Sequence, residues 1–358
     1  MAREVSLGVG AIDVSSVIPC IEVKEMEEYR QIIEWLLQDS DPSLTYQVNR
    51  DLLKRPEKEI QEYQMQIARK GWGKELLDKR RDNGQWGNGV YNPKWTCTHY
   101  VLYELVQLEM EKSNDSCRQS AELLLTYPVG RDGGINYART VEYSDVCING
   151  MILTITSYFN IQNPRIIEIV DYLLKVQMKD GGWNCEYFHG ARHSSLHTTI
   201  SVIEGLKTYL GNSNIYQSKA IEEALKGSIE FILKHRLFRS ETTGEVIKDE
   251  FFKFYFPIRW KYDILRCLDL FRKYDVQYDR RMDEALEKLA KSCNGNGRWK
   301  AYSQPGKTYF IMEKQGVESK WNTLRALRVL MHYNAYYHSK ARVRECGFRI
   351  AVRQQRIF

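Results

Sequence analysis

Long apolar runs are missing from this chain of 358 residues. None approaches the roughly 20 residues that a membrane-spanning helix needs. The opening MAREVSLGVGAIDVSSVIPC has one arginine and a weak apolar stretch broken by Asp13. That does not match the basic, apolar and small-residue regions of a secretory signal. A dense cysteine framework is missing too. The eight cysteines are scattered from Cys20 to Cys346, so reduced thiols in a cytoplasm are expected rather than disulfides. Nor is there a large excess of one charge. The 52 basic and 46 acidic residues leave +6, which by itself makes no case for a nucleic-acid partner. Strand signals are nearly absent. Aromatic residues, by contrast, are plentiful, with 8 Trp, 23 Tyr and 12 Phe. Such a load lines apolar pockets or fills a well-packed core.

What is present is a repeat. The unit LLKVQMKDGGW is followed by a polar connection and then HTTISVIEGL. Upstream stand LLLTYPVGRDGGI with DVCINGMILTITSYF, and LLDKRRDNGQWGNGVY with KWTCTHYVLYELVQL. Near the end stand LAKSCNGNGRW and SKWNTLRALRVL. The residues after the glycine turns are Trp86, Ile135, Trp183 and Trp299, at intervals of 49, 48 and 116. The last interval is two steps, and IEFILKHRLF with RWKYDILRCLDLF fills the gap as a degenerate unit. EEYRQIIEWLLQ with SLTYQVNRDLL reads as a trimmed hairpin at the start. In each unit the first helix is amphipathic, as in Ile166, Ile169, Val170, Leu173 and Leu174, and the second is apolar nearly all round, as in CINGMILTITSYF. Wet helices outside and dry helices inside predict an all-α fold, an (α/α)6 toroid of about six hairpins. It is expected as a single domain over 26–358, with residues 1–25 as an N-terminal extension.

QMKDGGW, Gln177 to Trp183, resembles the Gln-x-x-Asp-Gly-Gly-Trp repeat of the squalene cyclase and protein prenyltransferase β-subunit superfamily. The repeats cover roughly residues 70–335. The resemblance implies six inner helices around a funnel, with isoprenoid chains or diphosphates bound on a floor of aromatic rings. The Asp-x-Asp-Asp motif of class II cyclases is not found, nor is the Cys-His-Gly signature of lanthionine cyclases. Protein prenyltransferases hold zinc with Asp-x-Cys at the start of one inner helix and His at the start of the next. Asp145 and Cys147 stand in the first position and His197 in the second. An aspartate, a cysteine and a histidine would leave one coordination site open, as a catalytic zinc requires. Such a zinc would deprotonate an incoming thiol. Arg139 stands six positions before Asp145, where prenyltransferases place a diphosphate-binding arginine. Glu142 replaces the family's lysine, and Ile148 its tyrosine.

The residues themselves leave other roles open. Asp145 would serve as an N-cap, Cys147 as a small buried hydrophobe and His197 as a helix-start filler. A rival metal set is Cys185, His189, His193 and His197, each four apart, although Gly190 argues against a regular helix there. The reading carried forward is a zinc-dependent, prenyltransferase-like enzyme. Asp145, Cys147 and His197 hold the metal. Arg139 binds an anionic leaving group, and His193 faces the substrate. Trp95, Trp260 and Trp321, near inner-helix starts, line the funnel. The partners expected are an isoprenoid diphosphate or other apolar small molecule, a peptide or thiol acceptor, and a partner subunit. The alternatives are a cyclase-like enzyme without zinc and a non-catalytic toroid that binds a lipid or peptide. Lys94, Arg192 and Arg259 read as surface charges.

Overall fold

The computed structural model describes residues 23–138 and 140–337. Arg139, most of the N-terminal extension and the basic tail from His338 onward lie outside the described residues. Thirteen α-helices occur among the described residues: α1 Val23–Leu37, α2 Pro42–Asp51, α3 Glu57–Met65, α4 Gly71–Asp78, α5 Thr98–Gln107, α6 Asp115–Leu124, α7 Val146–Tyr158, α8 Arg165–Lys175, α9 Leu196–Gly211, α10 Ser218–Lys234, α11 Ile264–Lys273, α12 Asp283–Lys291 and α13 Lys320–Tyr337. One antiparallel pair of two-residue strands, β1 Trp299–Lys300 and β2 Glu318–Ser319, ties the last turn to the start of α13. None of these helices is long and apolar enough to cross a membrane.

The helices form an (α/α)6 toroid. The inner members are α2, α5, α7, α9, α11 and α13. Helix α5 packs on α7, α7 on α9 and α11 on α13, and α13 returns to α2. Side chains join the other neighbours. Gln47 donates to the Gln107 carbonyl between α2 and α5, and Arg266 donates to Ser201 between α11 and α9. Helices α6, α8, α10 and α12 lie outside against their partners. The burial pattern follows the sequence. Helix α7 is buried continuously from Ile148 to Ser157, whereas α8 buries Ile166, Ile169, Val170, Tyr172 and Leu173 and leaves its charges outside.

The repeated turn is a hydrogen-bonded unit. The indole of Trp86 donates to the Leu76 carbonyl, that of Trp183 to Leu173 and that of Trp299 to Leu289, each ten residues back on the outer helix. The backbone amides of the same tryptophans donate to hydroxyls on the following inner helix, those of Thr98, Thr199 and Thr323, at 3.0, 2.9 and 3.1 Å. In the unit with Ile135, Asn149 Oδ1 takes the amide at 2.8 Å. The other motif residues also have partners. Gln177 donates to the Gly181 and Ala224 carbonyls, the second on α10, and Asp180 accepts from the Ser194 amide. Gly181 has φ +95°, and a β-carbon there would lie 2.5 Å from the Gly227 carbonyl oxygen. Only glycine meets both demands.

Helices α7 and α9 approach most closely at Gly150 and Gly205. A β-carbon on Gly205 would lie 2.4 Å from the Gly150 carbonyl oxygen, and one on Gly150 would lie 2.7 Å from the Ser201 carbonyl oxygen. Alanine normally stabilises a helix interior by about 1 kcal/mol relative to glycine. Here the overpacking falls on backbone atoms that cannot rotate away. Gly205→Ala is therefore expected to destabilise the fold by about 2 kcal/mol, read as a lower urea midpoint at unchanged slope. A midpoint at or above that of the wild type would contradict the close approach.

Candidate functional site: the rim at the inner-helix N-termini

The connections that precede the inner helices gather on one face and interlock. Tyr309, before α13, accepts from the Gly87 amide and donates to the Thr96 carbonyl, both before α5. Trp95 donates from its indole to the Pro305 carbonyl at 2.7 Å. Asn322 reaches back to the Phe254 carbonyl.

On this rim Asp145 and Cys147 lie near each other, whereas His197 is turned toward the connection before α11. Asp145 caps α7 by backbone position, and its exposed side chain makes no capping bond. Cys147, on the first turn of α7, is half-buried and points its amide at Cys185 Sγ, 3.4 Å away. His197, on the first turn of α9, faces the other neighbour. Its Nδ1 accepts the Tyr262 amide at 2.8 Å, and its ring lies against Trp260 and Phe251. A backbone amide can only donate, so Nδ1 is the acceptor and Nε2 carries the proton. Neither nitrogen then offers a lone pair to a metal. Among the described residues, no three His, Cys, Asp or Glu side chains gather at metal-holding range. The expected convergence of Asp145, Cys147 and His197 does not occur.

The rival stripe is also broken. Tyr187–His189 is a short 3-10 turn closed by Gly190 at φ +83°. His189 pairs with Glu186 at 2.8 Å. His193 is exposed, and its carbonyl accepts from Asn184.

The tryptophans fare differently. Trp260 is half-buried against His197. Trp321 is 1% exposed and stacks on Phe256 with ring centroids 4.1 Å apart. Trp95 lies in the left-handed region at φ +74°, a costly conformation for a bulky residue. It is held there by its indole bond and by the Arg259 guanidinium 4.4 Å over its ring.

Arg259 is the largest surprise. Sequence reasoning made it a surface charge. It is 3% exposed and paired with Glu104 at 3.0 Å. The pair lines a cavity of about 380 Å³ beside Phe256, Gln304, Tyr309, Phe310 and Met312. Burial raises the Glu104 carboxyl, and Arg259 opposes that rise. Arg259 Nε and both amide atoms of Gln304 are buried without a hydrogen-bond partner among the described residues. One signal for Glu104 was available in the sequence, namely a carboxylate inside an otherwise dry helix, THYVLYELVQ. Nothing local marks Gln304.

Deeper in the ring, charged side chains link the inner helices. Tyr103 of α5 donates to Glu204 of α9, and Arg266 of α11 donates to both. Arg328 of α13 bridges Asp269 and Asp51. Burial pushes Asp51 up, but Arg50, Arg328 and Arg272 outweigh it and hold the carboxyl down at about 2.

No family model matches the sequence, and no curated protein matches it. Among solved structures, the chain is similar to a polysaccharide lyase (13% identity, TM-score 0.46, covering 89% of this chain and 99% of that one). It is also similar to a glycosyl hydrolase family 88 protein from Bacteroides vulgatus (11%, TM-score 0.47, 87% and 99%). A third similar structure is the type II terpene cyclase MstE from Scytonema (16%, TM-score 0.43, 87% and 99%). No residue role is carried over from these chains.

Burial lowers the His197 pKa to about 4, assisted by Lys248, Arg266 and Lys261. The unfolded chain binds the proton below about 6.5, whereas folded His197 refuses it until about 4. Stability is therefore full above pH 6.5 and falls as the pH drops through that window. His197→Gln keeps an acceptor for the Tyr262 amide but has nothing to titrate. It is expected to remove about 2 kcal/mol of the stability lost between pH 7.5 and 5, measured by urea unfolding at both pH values. Equal losses in the two proteins would show that His197 is not held neutral.

Proposed function

We propose that this protein is a toroid that takes a small apolar molecule, such as an isoprenoid, by a neutral polar head group in the rim cavity. One observation carries the reading. Arg259 and Gln304 line the cavity beside aromatic and apolar side chains, and together they carry three buried polar atoms without partners among the described residues. A buried unpaired donor or acceptor costs about 1–3 kcal/mol. A head group with both an acceptor and a donor, such as an amide or an alcohol, would recover that cost while its tail covers Phe256, Phe310 and Met312.

The charge count favours a neutral head group over a diphosphate. Glu104 already neutralises Arg259, and Glu313 adds a carboxylate to the cavity wall beside Lys314. A diphosphate needs several convergent cations. A second reading, an acid-catalysed and cyclase-like reaction, is favoured by one observation. The Glu104 carboxyl is held above its usual range by burial, which suits a proton donor.

Tryptophan fluorescence titrated with farnesol and with farnesyl diphosphate tests the proposal. Farnesol is expected to bind at least as tightly. Gln304→Leu is expected to weaken it about ten-fold while leaving thermal stability unchanged or raised, because the leucine leaves no unmet polar atoms. Diphosphate binding about ten-fold tighter than the alcohol, or an unaltered affinity in Gln304→Leu, would overturn the reading. Conversion of a polyprenyl substrate to a cyclised product, abolished in Glu104→Gln, would select the second reading over simple binding.

A further inference from the structure

The other rim feature is a pair of thiols. Cys185 follows the glycine turn after α8, and its sulfur lies between the first turns of two neighbouring inner helices. The Cys147 amide, on α7, points at it from 3.4 Å, and the Thr198 hydroxyl, on α9, from 3.5 Å. The Cys147 thiol lies within reach of the same sulfur. The glycine contact between Gly150 and Gly205 locks these helices together, so the two N-termini cannot separate to release the sulfur. Helices of 13 and 16 residues both direct the positive ends of their dipoles at this point. Cys97, Cys117 and Cys267 are buried, whereas Cys147 and Cys185 are half-buried. Nothing in the rim cavity uses this pair.

We propose that Cys185 and Cys147 form a reactive dithiol in which Cys185 is the attacking sulfur and Cys147 the resolving one, with a hydroperoxide as co-reactant. The assignment of roles follows from the hydrogen bonds. The Cys147 amide and the Thr198 hydroxyl both stabilise negative charge on Cys185. In the first step the Cys185 thiolate attacks a peroxide oxygen. The O–O bond breaks, a sulfenic acid forms, and the departing alkoxide or hydroxide takes a proton. In the second step the Cys147 sulfur attacks the sulfenic sulfur. The S–S bond forms, and hydroxide leaves with the Cys147 proton as water. The two thiols lose two electrons and two protons. The peroxide is reduced to an alcohol or water, and one further water is released. The donors that hold Cys185 also lower its thiol below the usual range, the Cys147 thiol contributing most and burial opposing. Among the described residues no histidine touches either sulfur, so the first turns of the two helices take the place of the usual base.

The test uses the full chain treated with hydrogen peroxide at a few equivalents, followed by non-reducing peptide mapping. The wild type is expected to yield the peptide linked through Cys147 and Cys185 before any other pair. Cys147→Ser is expected to stop at a sulfenic acid on Cys185 that dimedone traps. Cys185→Ser is expected to leave Cys147 unlabelled. Brief iodoacetamide labelling of the wild type serves if a variant fails to fold. Cys185 should then react about ten-fold faster than Cys293, which is also half-buried but donates to the Ala290 carbonyl. Equal labelling of Cys185 and Cys293, or dimedone capture at Cys147 in Cys185→Ser, would overturn the proposal.

Discussion

The tryptophan that follows three of the glycine turns is the fastening on which the ring depends. Its indole holds the outer helix by a carbonyl ten residues back, and its amide holds a threonine hydroxyl on the next inner helix. One residue therefore sets the spacing, tilt and sequence of the two layers. Because these tryptophans are buried, each of their polar groups must find a partner within the protein. Repetition of the same bonds at Trp86 and Trp299 closes an assembly in which no hairpin could bury its apolar face alone.

Once the layers are set, the inner helices present all their N-termini to one rim, and chemistry collects there. Dipoles and unsatisfied amides attract acceptors, which explains Cys185 between α7 and α9. The charged groups inside the ring work in the opposite sense. Arg266, Glu204 and Tyr103 meet across the ring. Such networks are costly to desolvate and stand only when every member is paired. They tie the inner helices to one another across the ring.

The repeats, the two layers and the aromatic turn residues were readable because each is written in spacing along the chain. Trp183 and Gly181 play the parts that the QMKDGGW stretch implied. Cys185 was visible only as part of a four-residue periodicity, and Gly190 cancels that periodicity with a left-handed turn. Glu104 left a trace as a carboxylate in a dry helix. Gln304 and Arg259 left none, because their burial depends on the 254–259 and 303–315 segments folding over each other, and those segments have no period.

Taken alone, the sequence determined the toroid, the number of hairpins and which helix of each pair is dry, because helical periodicity and glycine turns act locally. Tertiary structure alone decided which side chains meet. Asp145, Cys147 and His197 stand at equivalent places in adjacent units, yet the Tyr262 amide from the next connection turns His197 away. Register along a repeat places a residue on a helix, but the neighbour's backbone sets the direction in which its side chain points.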